Sequence, residues 1–212
     1  MPRHLASDLT IAEAEAVARV ATITAWAPAH TAQVQRLARQ LFEALRDHHG
    51  LGPRERRLLE VAALLHDVGF PTNPARHHKV SARVIRANLG APFTERDVHL
   101  IALLARYHRK GGPRVRHRRF SRLEPGERQI VIWLAGLLRV ADGLDRPHAS
   151  SVQRVTAGIV NGRFEITASG GPEHTEECIC GGSRKRQVLE RALGRPIVIW
   201  NDEAVRPASA AD

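Results

Sequence analysis

The chain has 212 residues, 43% hydrophobic and 25% charged, which suits one large domain, or one domain with a small appendage, around a real core. No apolar run approaches the ~18 residues of a membrane helix, the first residues lack a signal-peptide hydrophobic stretch, and two cysteines cannot staple a disulfide scaffold, so a cytoplasmic protein is expected. The net charge of +10 rests on arginine at all but three of 32 basic positions, which fits an anionic partner as well as it fits a biased genome composition.

Apolar spacing predicts helices through the first two thirds of the chain. The first covers 8–24, with Leu9, Ile11, Ala14, Val17 and Val20 as its stripe and Ser7 or Asp8 as N-cap. A second covers 29–48, with Val34, Leu37, Ala38, Leu41 and Leu45 on one face, and stops at Gly50. Pro53 opens a third that ends near Gly69 and whose middle, 58–65, is apolar nearly all round, the mark of a central buried helix. Helices over 76–89 and 94–109 follow, the latter with Thr94 as N-cap, and another spans 124–142. The period then changes. Segments 151–160 and 163–168 read as strands joined by Asn161-Gly162, a two-residue hairpin turn. A helix over 183–193 and a strand over 196–200 complete a hairpin–helix–strand module. The expected architecture is mainly α: a helical domain over 1–148, a small α+β module over 149–203, and a disordered tail over 204–212.

Three apolar helices end alike, at His66-Asp67 before Gly69, at His108 before Gly111, and at Asp142 before Gly143. Histidines and carboxylates buried at such ends are costly unless something compensates them, and one cation satisfies several at once. Successive helical residues point about 100° apart. His66 and Asp67 therefore need other helices to close the site, with His30 and Asp142 as candidates and His78 and His108 completing a second, adjacent site. Simpler roles compete: a capping pair at 66–67, an Asp142 ion pair with Arg139 or Arg146, and a structural or phosphate-donating His78 or His108. Asp145 suits a supporting position, and His77 is the alternate to His78. The group His174, Cys178 and Cys180 lacks a fourth ligand for zinc.

The series His30, His66-Asp67 and Asp142 resembles the H…HD…D signature of the HD-domain metal-dependent phosphohydrolases. The segments HGLGPRERRLLEVAALLHDVG (49–69), HHKVSARVI (77–85), LLARYHRK (103–110) and LLRVADGLDRPH (137–148) are similar to the C-terminal HD domain of the exopolyphosphatase/guanosine-pentaphosphatase (Ppx/GppA) family. That resemblance implies an HD-domain helical bundle followed by a small α+β module. Family members carry an N-terminal actin-like domain with phosphate loops, whereas this chain opens on the HD-like segment and has no glycine-rich phosphate loop. His108-Arg109 stands where the cyclic-dinucleotide branch has paired histidines, that branch's Gly-Tyr-Pro motif is missing, and Phe70-Pro71-Thr72-Asn73 stands where alarmone hydrolases of the synthetase/hydrolase type carry an acidic pair.

The expected activity is metal-dependent phosphohydrolysis of polyphosphate, a guanosine polyphosphate or a nucleotide, with Asp67 and His66 as catalytic residues. One or two divalent ions (Mn, Fe, Co or Mg) would be held by His30, His66, Asp67, Asp142, His78 and His108. Arg106, Arg109, Lys110, Arg114, Arg116, Arg118 and Arg119 would gather the anionic phosphate-containing substrate. Stacking aromatics are too sparse for nucleic acid, no membrane partner is expected, and a homodimer stays open. The alternative is a non-catalytic module that binds polyphosphate or nucleotide, or that partners a separate phosphatase domain.

Overall fold

The computed structural model describes residues 9–23, 27–160, 162–171 and 175–202. Helix α1 (Ile11–Ala21) starts at Thr10, whose hydroxyl accepts the Glu13 N–H at 3.3 Å while Glu13 accepts the Thr10 N–H at 2.9 Å. Thr10 is therefore the cap; Ser7 and Asp8 lie outside the described residues. Ile11 is 81% exposed, because α1 buries only the face of Glu13, Ala16, Val17 and Val20.

Helix α2 (Pro28–Ala44) has proline in its first turn, and Val34, Leu37, Ala38 and Leu41 are fully buried along it. It ends earlier than its apolar pattern predicts. Leu45 leaves helical geometry, one further turn forms as α3 (Arg46–His49), and Gly50 closes it in a left-handed conformation. Helix α4 (Pro53–Leu65) is the central one, with Leu58, Leu59, Val61, Ala62, Ala63 and Leu65 all fully buried. Each such leucine contributes about 1.5–3 kcal/mol by leaving water. It packs against α2, α6 (Glu95–Tyr107) and α8 (Pro125–Gly143).

The turn after α4 leads into α5 (His77–Asn88), and Gly69 permits that corner. A Cβ there would sit 2.4 Å from the Ser81 nitrogen, and the Gly69 N–H instead donates to Ser81 Oγ at 2.9 Å. Thr94 caps α6 as its sequence predicts, sharing a reciprocal box with Asp97. The basic stretch between α6 and α8 contains one unpredicted short helix, α7 (Arg118–Ser121).

Strands β1 (Val152–Val160) and β2 (Arg163–Gly170) form the antiparallel hairpin, with Val160 opposite Arg163 and Gly162 in a left-handed conformation. Asn161 itself is outside the described residues, as are His174 and the tail from 203. Strand β3 (Ile197–Asn201) joins β2 in parallel, giving the order β1-β2-β3. Two helices, not one, fill the crossover: α9 (Thr175–Lys185) and α10 (Gln187–Leu193). Gly181 and Gly182 hide α9 from a propensity argument, yet they let it press onto α8 backbone to backbone at Gly143.

The sheet and the bundle share one apolar core. Side chains of α2 also reach the outer edge of β1. Gln33 and Arg36 each donate to the Val152 carbonyl at 2.6 Å, Arg36 and Gln40 donate to that of Gln153, and Gln40 accepts the Val155 N–H at 2.7 Å.

Candidate metal centre

The ends of α4, α6 and α8 and the start of α5 meet beside the first turn of α2, and each brings a histidine or carboxylate. His30, His66 and Asp142 form one buried group whose ligand-type atoms lie within 4.8 Å of one another. Asp67, His77 and His108 form a second under the same limit. Neighbours in the turn that follows α4, His66 and Asp67 thus go one into each group. The groups touch, with the His66 ring centroid 5.4 Å from that of His30 and 4.9 Å from that of His108.

Backbone and carboxylate partners orient the rings. His66 donates Nδ1–H to the Ala63 carbonyl at 2.7 Å, and His108 does the same to Ala105 at 2.8 Å. Helix-end carbonyls have no hydrogen to offer, so the tautomer is set and Nε2 carries a lone pair. His77 donates to the Pro74 carbonyl at 2.8 Å, which also accepts Arg109 Nη1 at 3.1 Å. His30 donates Nδ1–H to Asp145 Oδ2 at 2.7 Å, and the His148 ring stacks on it at 3.8 Å.

All four Nε2 atoms therefore face inward. In the second group His77 Nε2 and His108 Nε2 are 3.0 Å apart, with Asp67 Oδ1 at 3.2 and 3.4 Å from them. Two imidazole nitrogens and a carboxylate oxygen converge there. In the first group His30 Nε2 and His66 Nε2 are buried without a hydrogen-bond partner, and Asp142 Oδ1 is 3.7 Å from the former. Polar atoms without a partner at such depth are costly, and a divalent cation satisfies them, taking the place of a proton at His30. Imidazole and carboxylate donors fit that class of ion, and the Nδ1–H partners are the outer contacts that hold ligating histidines in place.

The charge balance agrees. Burial lowers the His108 and His77 pKa values, favouring the neutral rings a cation needs. Burial favours a protonated Asp142, but Lys185, His30, His66 and His108 outweigh it and hold the carboxyl well below the usual range. Asp67 is also held low against its burial, chiefly by His66 and His108. Burial lowers His30 as well, but Asp142 and Asp145 together raise it to about 9, so cation binding there displaces a proton.

Of the sequence-derived residues, the structure brings His30, His66, Asp67, His108 and Asp142 together. His77 stands where His78 was expected: His78 is buried with its ring 6.5 Å from that of His108, and belongs to neither group. Asp142 pairs with neither Arg139, which donates to the Tyr107 carbonyl at 2.9 Å, nor Arg146; its partner is the ammonium of Lys185 at the end of α9. Lys185 and His148 carry no local signal in the sequence that would place them here. Of the seven basic residues expected to gather substrate, only Arg109 meets either group, its Nη1 lying 3.2 Å from His77 Nδ1 and donating to the Pro74 carbonyl. Arg106, Arg118 and Arg119 line a separate cavity, while Lys110, Arg114 and Arg116 are exposed.

No helix among the described residues is long and apolar enough to cross a membrane. No curated protein matches the chain at a significant level. The family model for the Ppx/GppA phosphatase, domain III, matches residues 15–169, a span that runs from α1 through the hairpin and takes in every member of both His/Asp groups. The chain belongs to the Ppx/GppA phosphatase domain III family.

Proposed function

We propose that the chain is a metal-dependent phosphohydrolase of HD type, cleaving a phosphoanhydride or phosphoester in polyphosphate, a guanosine polyphosphate or a nucleotide. The observation that carries this reading is the convergence of His77 Nε2, His108 Nε2 and Asp67 Oδ1 within 3.4 Å of one another. His30, His66 and Asp142 would hold one divalent ion, and Asp67, His77 and His108 a second. When bound, such an ion lowers the pKa of water and makes a nucleophile available near neutral pH.

The chain's own residues supply the remainder. Asp145 and the carbonyls of Ala63, Pro74 and Ala105 fix the imidazole planes, so that no reorganisation is needed as charge develops. Lys185, on Asp142, and Arg109, beside His77, would offset charge on the non-bridging phosphate oxygens. The substrate class rests on membership of a phosphatase domain family.

The test is phosphate release with Mn²⁺ from the three substrate types, by wild type, Asp67→Ala and His66→Ala purified in parallel. Release by wild type that falls by orders of magnitude in both variants supports the enzyme. A metal-filled wild type that leaves every substrate intact makes the chain a binding or regulatory module instead.

A further inference from the structure

The two His/Asp groups differ in one respect: a lysine pairs with the carboxylate of the first and not with that of the second. Lys185 closes α9, and Gly181, four residues earlier on the same face, presses on α8 at Gly143. The face that touches α8 backbone to backbone therefore delivers the ammonium to Asp142, the residue before Gly143, where it pairs with Oδ2. The pair is largely buried, the Lys185 side chain 18% exposed and that of Asp142 11%. Burial works against an ionised Asp142, and Lys185 is foremost among the groups that overcome it. At His108, burial, His66, Asp67 and Asp142 all act more strongly than Lys185.

The second group has no such cation on its carboxylate. Among the described residues Asp67 pairs only with the imidazoles of His66, His77 and His108. Arg109 approaches from outside, 3.2 Å from His77 Nδ1, the ring nitrogen turned away from Asp67. A divalent ion entering the first group thus meets a carboxylate already neutralised by a fixed ammonium, in surroundings too dry to screen the repulsion between the two cations. An ion entering the second meets a carboxylate free of that competitor. We propose that Lys185 ranks the two groups, so that Asp67, His77 and His108 take a divalent ion first while His30, His66 and Asp142 take one only weakly. The proposal rests on the metal-centre reading above and carries the centre beyond the family-matched span 15–169 into the small module. A lysine that merely buttressed Asp142 would act in the opposite sense, since ion binding at the first group would fall without it.

The probe is Mn²⁺ alone, titrated into the full chain while the free ion is counted by electron paramagnetic resonance. Wild type should show one tight and one weak class of site, at least about tenfold apart. Lys185→Met, similar in length but uncharged, should tighten the weak class by at least about tenfold, because a fixed like charge has gone. It should leave the tight class nearly unchanged, and Lys185→Arg should keep the wild-type difference. Asp142→Asn should lose the weak class alone and Asp67→Asn the tight one, so the ranking stays testable if Lys185→Met does not fold. Three results would overturn the proposal: equal classes in wild type, a weak class unchanged or weakened in folded Lys185→Met, or loss of the tight class in Asp142→Asn. No Mn²⁺ binding at all would overturn the metal centre and the phosphohydrolase with it, which keeps the two failures distinguishable.

Discussion

Replacing Gly143 by alanine tests whether the α8–α9 contact is as close as the structure has it. A Cβ at Gly143 would lie 2.5 Å from the Gly181 oxygen, 2.7 Å from its carbonyl carbon and 2.8 Å from Gly182 Cα. All three atoms are backbone, so no side chain can swing aside and α9 itself must move. Overpacking of this kind costs about 1–3 kcal/mol, occasionally more, and backbone clashes belong at the upper end. Alanine returns up to about 1 kcal/mol of helix propensity near a helix end. A net loss of about 2–3 kcal/mol should lower the melting temperature by about 4–12 °C in a chain of this size.

Gly126→Ala, in the first turn of the same helix, is the control. A Cβ there meets nothing within 4 Å, so the same substitution should be neutral or raise the melting point slightly. Thermal denaturation followed by circular dichroism reads both. A Gly143→Ala protein melting at or above wild type would refute the close packing and, with it, the route by which Lys185 reaches Asp142.

Two further outcomes follow from the electrostatics. Chelation should lower the melting temperature of wild type, because an ion bound only by the native state stabilises it by mass action, and should scarcely move Asp67→Ala; equal responses would count against a resident ion. Asp97 accepts Arg54 Nη2 at 2.7 Å and Thr94 Oγ1 at 2.7 Å, and although burial opposes them these partners hold its pKa low. Its stabilisation is complete above the unfolded carboxyl value of roughly 3.9 and is lost as pH falls through the lower folded value. Asp97→Ala should therefore cost about 1 kcal/mol at neutral pH, with the deficit shrinking in acid; a deficit independent of pH would contradict this.

Features encoded within a turn or two of chain were legible in the sequence. Thr94 before α6, Pro53 at a helix start, and Gly50 and Gly162 at reversals each act through their own backbone geometry. The residue types of the centre were legible too, because His66-Asp67 and Asp142 come at the ends of helices whose middles are apolar. What was hidden depends on contacts far along the chain. Whether His77 or His78 turns inward is a matter of one 100° step on α5, and the roll of that helix is set by Ser81 against Gly69. Lys185 arrives from 43 positions beyond Asp142 because three glycines let two helices touch. The stripe of Lys79, Arg83 and Arg86 is visible as spacing, but only α7 folding over it makes it a cavity.

The reach of α2 across to β1 bears on how the molecule behaves among its own copies. An outer strand with free N–H and C=O groups is a template on which another chain can add a strand. Gln33, Arg36 and Gln40 occupy those groups from Val152 to Val155, so an incoming strand would have to displace several hydrogen bonds before forming its own. Growth of the sheet by self-association is thereby turned away from the end of β1 nearest the bundle. The same three polar side chains guard against polymerisation, a duty separate from whatever happens at the histidines.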